Sequence, residues 1–179
     1  MNKKELSATA ALTAASVILE TLPLKFPFPL LSYLTFDLGE IPIFFLLFYA
    51  GFYPSLMSSS ALFITLLAMG QFAPIGPAFK FLALASALTG AYPLAKKKVA
   101  LAFASSTALR IVVMTLANYF LIAFFMPDFL NYLIVPGFLN FLTPLDALLI
   151  LTAIFNIFQN LISFGVALAL YKRLKAIKL

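Results

Sequence analysis

The sequence predicts an all-α integral membrane protein: one transmembrane domain over residues 1–179, built as a six-transmembrane-helix bundle with both termini cytoplasmic. Three observations carry this expectation. Hydrophobic residues make up 64% of the chain and charged residues 10%, with a mean hydropathy of +1.08; a soluble domain carries about 25% charged residues. Apolar runs of helical length alternate with turns rich in Pro and Gly. The main cation clusters lie at Lys3–Lys4, Lys96–Lys98 and Lys172–Lys178. An even number of helices between successive clusters puts all of them on one side, as the positive-inside rule prefers.

Composition also excludes functions. Histidine, cysteine and tryptophan are absent. Disulfides, thiolate and imidazole metal sites, and His- or Cys-dependent catalysis are therefore ruled out. No catalytic residue, metal site or cofactor is expected. The net charge of +6 reads as anchoring cations at the membrane edge, not as a nucleic-acid surface. The expected location is the cell membrane, with lipid around a multi-pass chain.

Helix 1 is expected over residues 5–22. Lys3 and Lys4 before an apolar run have the layout of a signal peptide, but small residues are spread through the run and a first membrane helix fits better. The pairs Ala10/Ala14 and Ala11/Ala15 are spaced for close helix approach in lipid. Pro23, Pro27 and Pro29 then open an outer loop over 23–39, rich in aromatics. Loops this long are usually functional or disordered, and this one is too apolar for disorder.

Helices 2 and 3 are expected over 40–53 and 55–70, split at Tyr53-Pro54. Both are short for a full span, which implies local thinning or burial inside the bundle. An outer turn over 71–76 leads to helix 4, residues 77–95, with Lys80 near its start. Helix 5, residues 99–126, carries Arg110, Met114 and Asn118 along one side. A second outer loop over 127–146 contains Pro136, Gly137 and Pro144, and helix 6 follows over 147–172. In this topology Glu20, Asp37, Glu40, Asp128 and Asp146 make the outer face acidic.

Helix 6 bears Thr152, Asn156, Gln159, Asn160 and Ser163 on one face. Facing lipid, that stripe would be costly, so it is expected to face inward. Counted from the outer helix ends, Asn118 lies about 12 Å deep and Asn156 about 14 Å. Side-chain amides both donate and accept, which suits a neutral, planar, hydrogen-bonding solute inside apolar walls. The alternative is that the amides bond each other and only join helices. Arg110, about 24 Å deep, is expected in the cytoplasmic third as a structural or coupling residue.

Several phrases together resemble a known family. They are the alanine-rich helix 1, Phe36-Asp37-Leu38-Gly39-Glu40-Ile41-Pro42, and the Gly70–Ala83 turn and helix start. With them come Val113–Phe120, Phe155-Asn156-Ile157 and Tyr171-Lys172-Arg173-Leu174. In this order they resemble the substrate-binding S components of energy-coupling factor (ECF) transporters, most closely the riboflavin-specific branch. The resemblance implies a non-catalytic subunit that binds a vitamin, docks on a transmembrane coupling (T) subunit, and depends on two cytoplasmic ATPases. It implies docking through Ala11 and Ala15, or Ala10 and Ala14, and a loop over 23–39 that closes on the ligand. It assigns substrate contacts to Asn118 and Asn156; beside them Gln159, Asn160 and Lys80 are the expected polar partners, with Tyr33, Phe36 and Asp37 in the gating loop. Two departures stand out: Gln159 replaces a lysine usual in that branch, and 61–67 lacks another. Lys80 stands where asparagine is often found. Riboflavin with a relocated cation and a different vitamin or small solute both remain open.

Overall fold

The computed structural model describes residues 2–23, 25–70, 73–133, 136–139 and 141–176. Six α-helices run as α1 Lys3–Thr21, α2 Ile41–Tyr49, α3 Phe52–Met69, α4 Ile75–Ala91, α5 Val99–Phe120 and α6 Pro144–Ala176. Three are long and apolar enough to cross a membrane: α3, α5 with its continuation to Phe125, and α6. α4 is a shorter apolar helix. The fold class is all-α and helical-bundle, as the hydropathy pattern leads one to expect. Lys178 and part of the 71–76 turn lie outside the described residues.

The short α2 is the centre of the bundle. At nine residues it is only about 13 Å long, well under a hydrocarbon core of about 30 Å. Ile43, Phe44, Leu46, Leu47 and Phe48 are nonetheless all buried. Ile43, Phe44, Leu47 and Phe48 pack with Leu62 of α3, Leu84, Ala87 and Leu88 of α4, Ala102 of α5, and Phe164 and Ala167 of α6. A helix apolar on all sides belongs inside a core, which is how a segment too short to span is accommodated.

α2 and α3 are separate helices, but the break falls earlier than Tyr53-Pro54. Gly51 takes a left-handed φ of 97°, open to glycine at little cost. Pro54 then sits in the first turn of α3, where its missing N–H costs nothing. The same logic moves the start of α6 back to Pro144. Thr143 Oγ1 accepts from the Asp146 N–H at 3.2 Å and donates to the Asp146 carboxylate at 2.6 Å, a reciprocal cap with proline in the first helical position.

α1 packs on α2 and α3, α3 on α4, α4 on α5, and both α5 and α2 on α6. The polar side of α1 faces inward: Thr9, Ser16 and Glu20 are buried, and Thr13 Oγ1 donates to Ser58 Oγ at 2.8 Å. Ala10, Ala11 and Ala14 lie exposed on the opposite face and Ala15 is half-buried. Polar-in, small-out is the arrangement expected where lipid is the solvent.

The loop after α1 is not irregular. β1 (Phe26–Phe28) and β2 (Leu31–Phe36) form an antiparallel hairpin. Phe28 and Leu31 bury against Leu139, Ala147, Leu151 and Phe155, closing one end of the bundle. The hairpin answers a simple need: backbone that runs across an apolar surface must satisfy its own N–H and C=O groups.

Candidate functional site

The hairpin delivers the segment Asp37-Leu38-Gly39-Glu40 into the bundle, beneath its own strands. Glu40 occupies the N-cap of α2 but makes no side-chain cap bond. Its carboxylate instead takes a bidentate pair from Arg110 of α5, with Nη1 and Nη2 at 2.7 and 2.9 Å. Arg110 Nε donates to Asn156 Oδ1 of α6 at 2.9 Å. Arginine's planar fork suits this geometry, and a guanidinium with carboxylate and amide partners leaves little charge unsatisfied.

A second ionic group lies alongside. Lys80 of α4 bonds Asp37 Oδ2 at 2.6 Å and also contacts the Glu20 carboxylate. Lys25 reaches Glu20 from the loop at 3.2 Å. Burial by itself would push the Asp37 carboxyl upward, but the adjacent Lys80 ammonium outweighs it and holds the carboxyl below its ordinary range. The Gly39 N–H donates to Asp37 Oδ1 at 3.0 Å. Three carboxylates (Glu20, Asp37, Glu40) thus meet three cations (Lys25, Lys80, Arg110), and the site is neutral overall.

The segment is also clamped through its backbone. Gln159 Nε2 donates to the Asp37 carbonyl at 3.0 Å, and the Asp37 N–H reaches Gln159 Oε1 at 3.4 Å. Ser16 Oγ donates to the Gly39 carbonyl. Gly39 suits the close approach of α1 here: a Cβ would lie 2.7 Å from the Glu20 carboxylate and 3.2 Å from the Ser16 carbonyl, so the Glu20 side chain would have to shift. Above this layer the rings of Phe36 and Phe155 lie 4.9 Å apart, with Phe28 at 5.8 Å from each. The site therefore combines a neutralised hydrogen-bonding floor with an aromatic wall.

No family model matches the sequence, and no curated protein matches it. Its fold does match a solved structure, the S component of a bacterial ECF transporter. The TM-score is 0.76 at 25% identity, over 99% of this chain and 98% of that one. From end to end, the chain is similar to an ECF S component. Apolar helices of membrane-crossing length and this likeness together support a membrane protein with the fold of an S component.

Within that S-component fold, the residues singled out from the sequence separate into groups. Lys80, Asp37, Gln159 and Asn156 converge on the site just described. Phe36 lines its aromatic wall, while Tyr33 is 48% exposed with its ring 5.4 Å from Phe129. Asn160 donates to Thr107 at 2.8 Å and pairs with Ser106, a bond between α5 and α6 one turn deeper. The whole stripe Thr152, Asn156, Gln159, Asn160 and Ser163 is buried, facing inward as its cost in lipid demands.

Three expectations need correction. Asn118 and Asn156 are not at one depth. The pairs 110/156 and 107/160 set an antiparallel register that puts Asn118 near the level of Leu148, about two turns, or roughly 12 Å, above Asn156. Among the described residues Asn118 donates only to the Met114 carbonyl of its own helix, at 2.8 Å. The depth estimate erred at both ends: α6 starts at Pro144 and not at 147, and the regular α-helix of α5 ends at Phe120 and not at 126. Second, Arg110 is not a residue of the far third; it fills the space beside Asn156. Third, Glu20, Asp37 and Glu40 do not make an acidic outer face. They are 6%, 8% and 2% exposed, drawn inside by Lys80 and Arg110, because buried cations require buried partners. The signal that points to Glu40 is Arg110 itself: an intramembrane arginine calls for an acid at matching depth.

Proposed function

We propose that this chain is the substrate-binding subunit of an ECF-type ATP-driven vitamin importer, with riboflavin as the first substrate to test. Full-length similarity to an S component carries this reading. The bundle sits in the cell membrane with six helices, α2 being carried inside the others, and both termini on the cytoplasmic side. A T subunit docks on the exposed Ala10, Ala11, Ala14 and Ala15 face of α1 and couples it to two ATPases.

The solute's polar edge meets Asn156, Gln159 and Lys80, with Asn160 behind them and Asn118 about two turns above, and Tyr33, Phe36 and Asp37 cover it. Because the floor is neutral overall, an uncharged planar guest can exchange hydrogen bonds with it without stranding an ion. That chemistry fits a flavin ring. Gln159 in place of a lysine favours the second reading, another uncharged vitamin on the same scaffold.

Purified protein titrated against riboflavin is expected to quench flavin fluorescence at or below micromolar concentration; no binding in that range ends the riboflavin reading. A vitamin panel scored by thermal stabilisation then identifies the ligand, since binding to the folded state alone raises its stability. Absence of any stabilising solute would leave a purely structural membrane protein. Ala11→Phe is expected to abolish T-subunit complex formation with solute binding intact, and equal loss of both would refute the docking assignment.

A further inference from the structure

The end of the bundle remote from the hairpin carries a cleft of about 290 Å³ lined by Leu47, Tyr92, Pro93, Ala95, Lys96 and Lys97. It lies where α2 ends and the chain turns from α4 into α5. Lys96, Lys97 and Lys98 are exposed, and none has an ion-pair partner among the described residues. α5 begins directly after them, with no side-chain cap and no acid in its first turn. The positive end of its dipole therefore adds to three positive side chains. α1 shows the usual remedy, an Asn2–Glu5 capping box; α5 has none. The surplus positive potential calls for an anion from outside the chain.

The surroundings say which kind. Tyr49, Tyr53 and Tyr92 are exposed at this end, and the Tyr171 ring lies 5.8 Å from Phe48. Tyr33, Tyr119 and Tyr132 lie at the other end. Tyrosines grouped at both ends and missing between them mark the two headgroup levels. The cleft therefore opens at headgroup height, with an apolar wall from Leu47 and Ala95 and an ammonium rim. Its volume is at the small end of ligand clefts, roughly 300–1,000 Å³, enough for a headgroup and not for a large cofactor.

We propose that this cleft binds the phosphodiester of an anionic phospholipid from the adjoining leaflet, held by Lys96 and Lys97 with Tyr92 at its mouth. Basic pockets between membrane helices take such headgroups. The assignment is independent of the importer reading, because it uses no residue of the hairpin site.

Native mass spectrometry of the full chain in neutral detergent, titrated with phosphatidylglycerol or phosphatidylcholine, tests it. Phosphatidylglycerol is expected to bind preferentially, one molecule per chain. Lys96→Ala/Lys97→Ala is expected to weaken it roughly thirtyfold, at about fivefold per lysine. Lys172→Ala/Lys175→Ala removes equal charge from the same end outside the cleft and is expected to bind like the unaltered protein. Equal retention of both lipids, equal loss in both variants, or displacement by inorganic phosphate at concentrations matching the lipid would overturn the proposal. If the first variant fails to fold, a photoreactive phosphatidylglycerol on the unaltered protein decides: crosslinks within 92–97 support the site, and crosslinks elsewhere refute it.

Discussion

The two ends of the bundle treat charge in opposite ways. Beneath the hairpin, Glu20, Asp37, Glu40, Lys80 and Arg110 are buried or nearly so, and each is ion-paired. At the other end Lys96–Lys98, Lys172, Arg173 and Lys175 are exposed, and none is ion-paired among the described residues. The apolar cluster around α2 separates the two. The contrast follows from solvation: a charge inside needs its counter-charge in the protein, whereas a charge at the edge can use water and lipid.

The strongest way to break that contrast is Arg110→Met, which leaves the Glu40 carboxylate buried and unpaired. Thermal unfolding in detergent is expected to show a loss of about 3–5 kcal/mol. Adding Glu40→Gln should restore much of it; no recovery in the double variant would mean the pair is not the source of the effect. Next in size is Gln159→Ala, which unfastens the Asp37 peptide at a cost of about 1–3 kcal/mol. Hydrogen exchange should accelerate over 26–40 while α2 and α4 stay protected, and uniform acceleration would argue against a local clamp.

A smaller effect is expected from acid. The Asp37 carboxyl is held below its ordinary value of 3.8, so its contribution is complete above that value and is lost as pH falls through the depressed one. Thermal stability should hold down to mild acid and drop only below that region, and Asp37→Asn should flatten the drop. Smallest of all, Lys172→Ala at the exposed end should change stability by no more than about 0.5 kcal/mol. A change as large as that of Arg110→Met would erase the distinction between the ends.

Which side of α5 and of α6 turns inward was readable in advance. Met114 and Arg110 on α5 and the polar stripe on α6 are buried where their spacing puts them, because lipid penalises exposed polar groups wherever they occur. The β-hairpin was not readable: Pro27 and Pro29 dominate that stretch, and its pairing needs the floor of α6 beneath it. Glu40 reads from the sequence as one acid of an outer acidic face, since nothing near it in the chain reveals the guanidinium it serves.

The order of the helices, the inward sides of α5 and α6, and the gathering of most lysines at one end were determined by the sequence alone. Hydropathy and helical period act within a turn or two of chain, so a linear reading captures them. Only the tertiary structure decided that Lys80 meets Asp37, Arg110 meets Glu40, and Gln159 meets the Asp37 peptide. Those partners lie 43, 70 and 122 residues apart, and a charge entering a low-dielectric interior takes whichever counter-charge the packing of distant helices brings within reach.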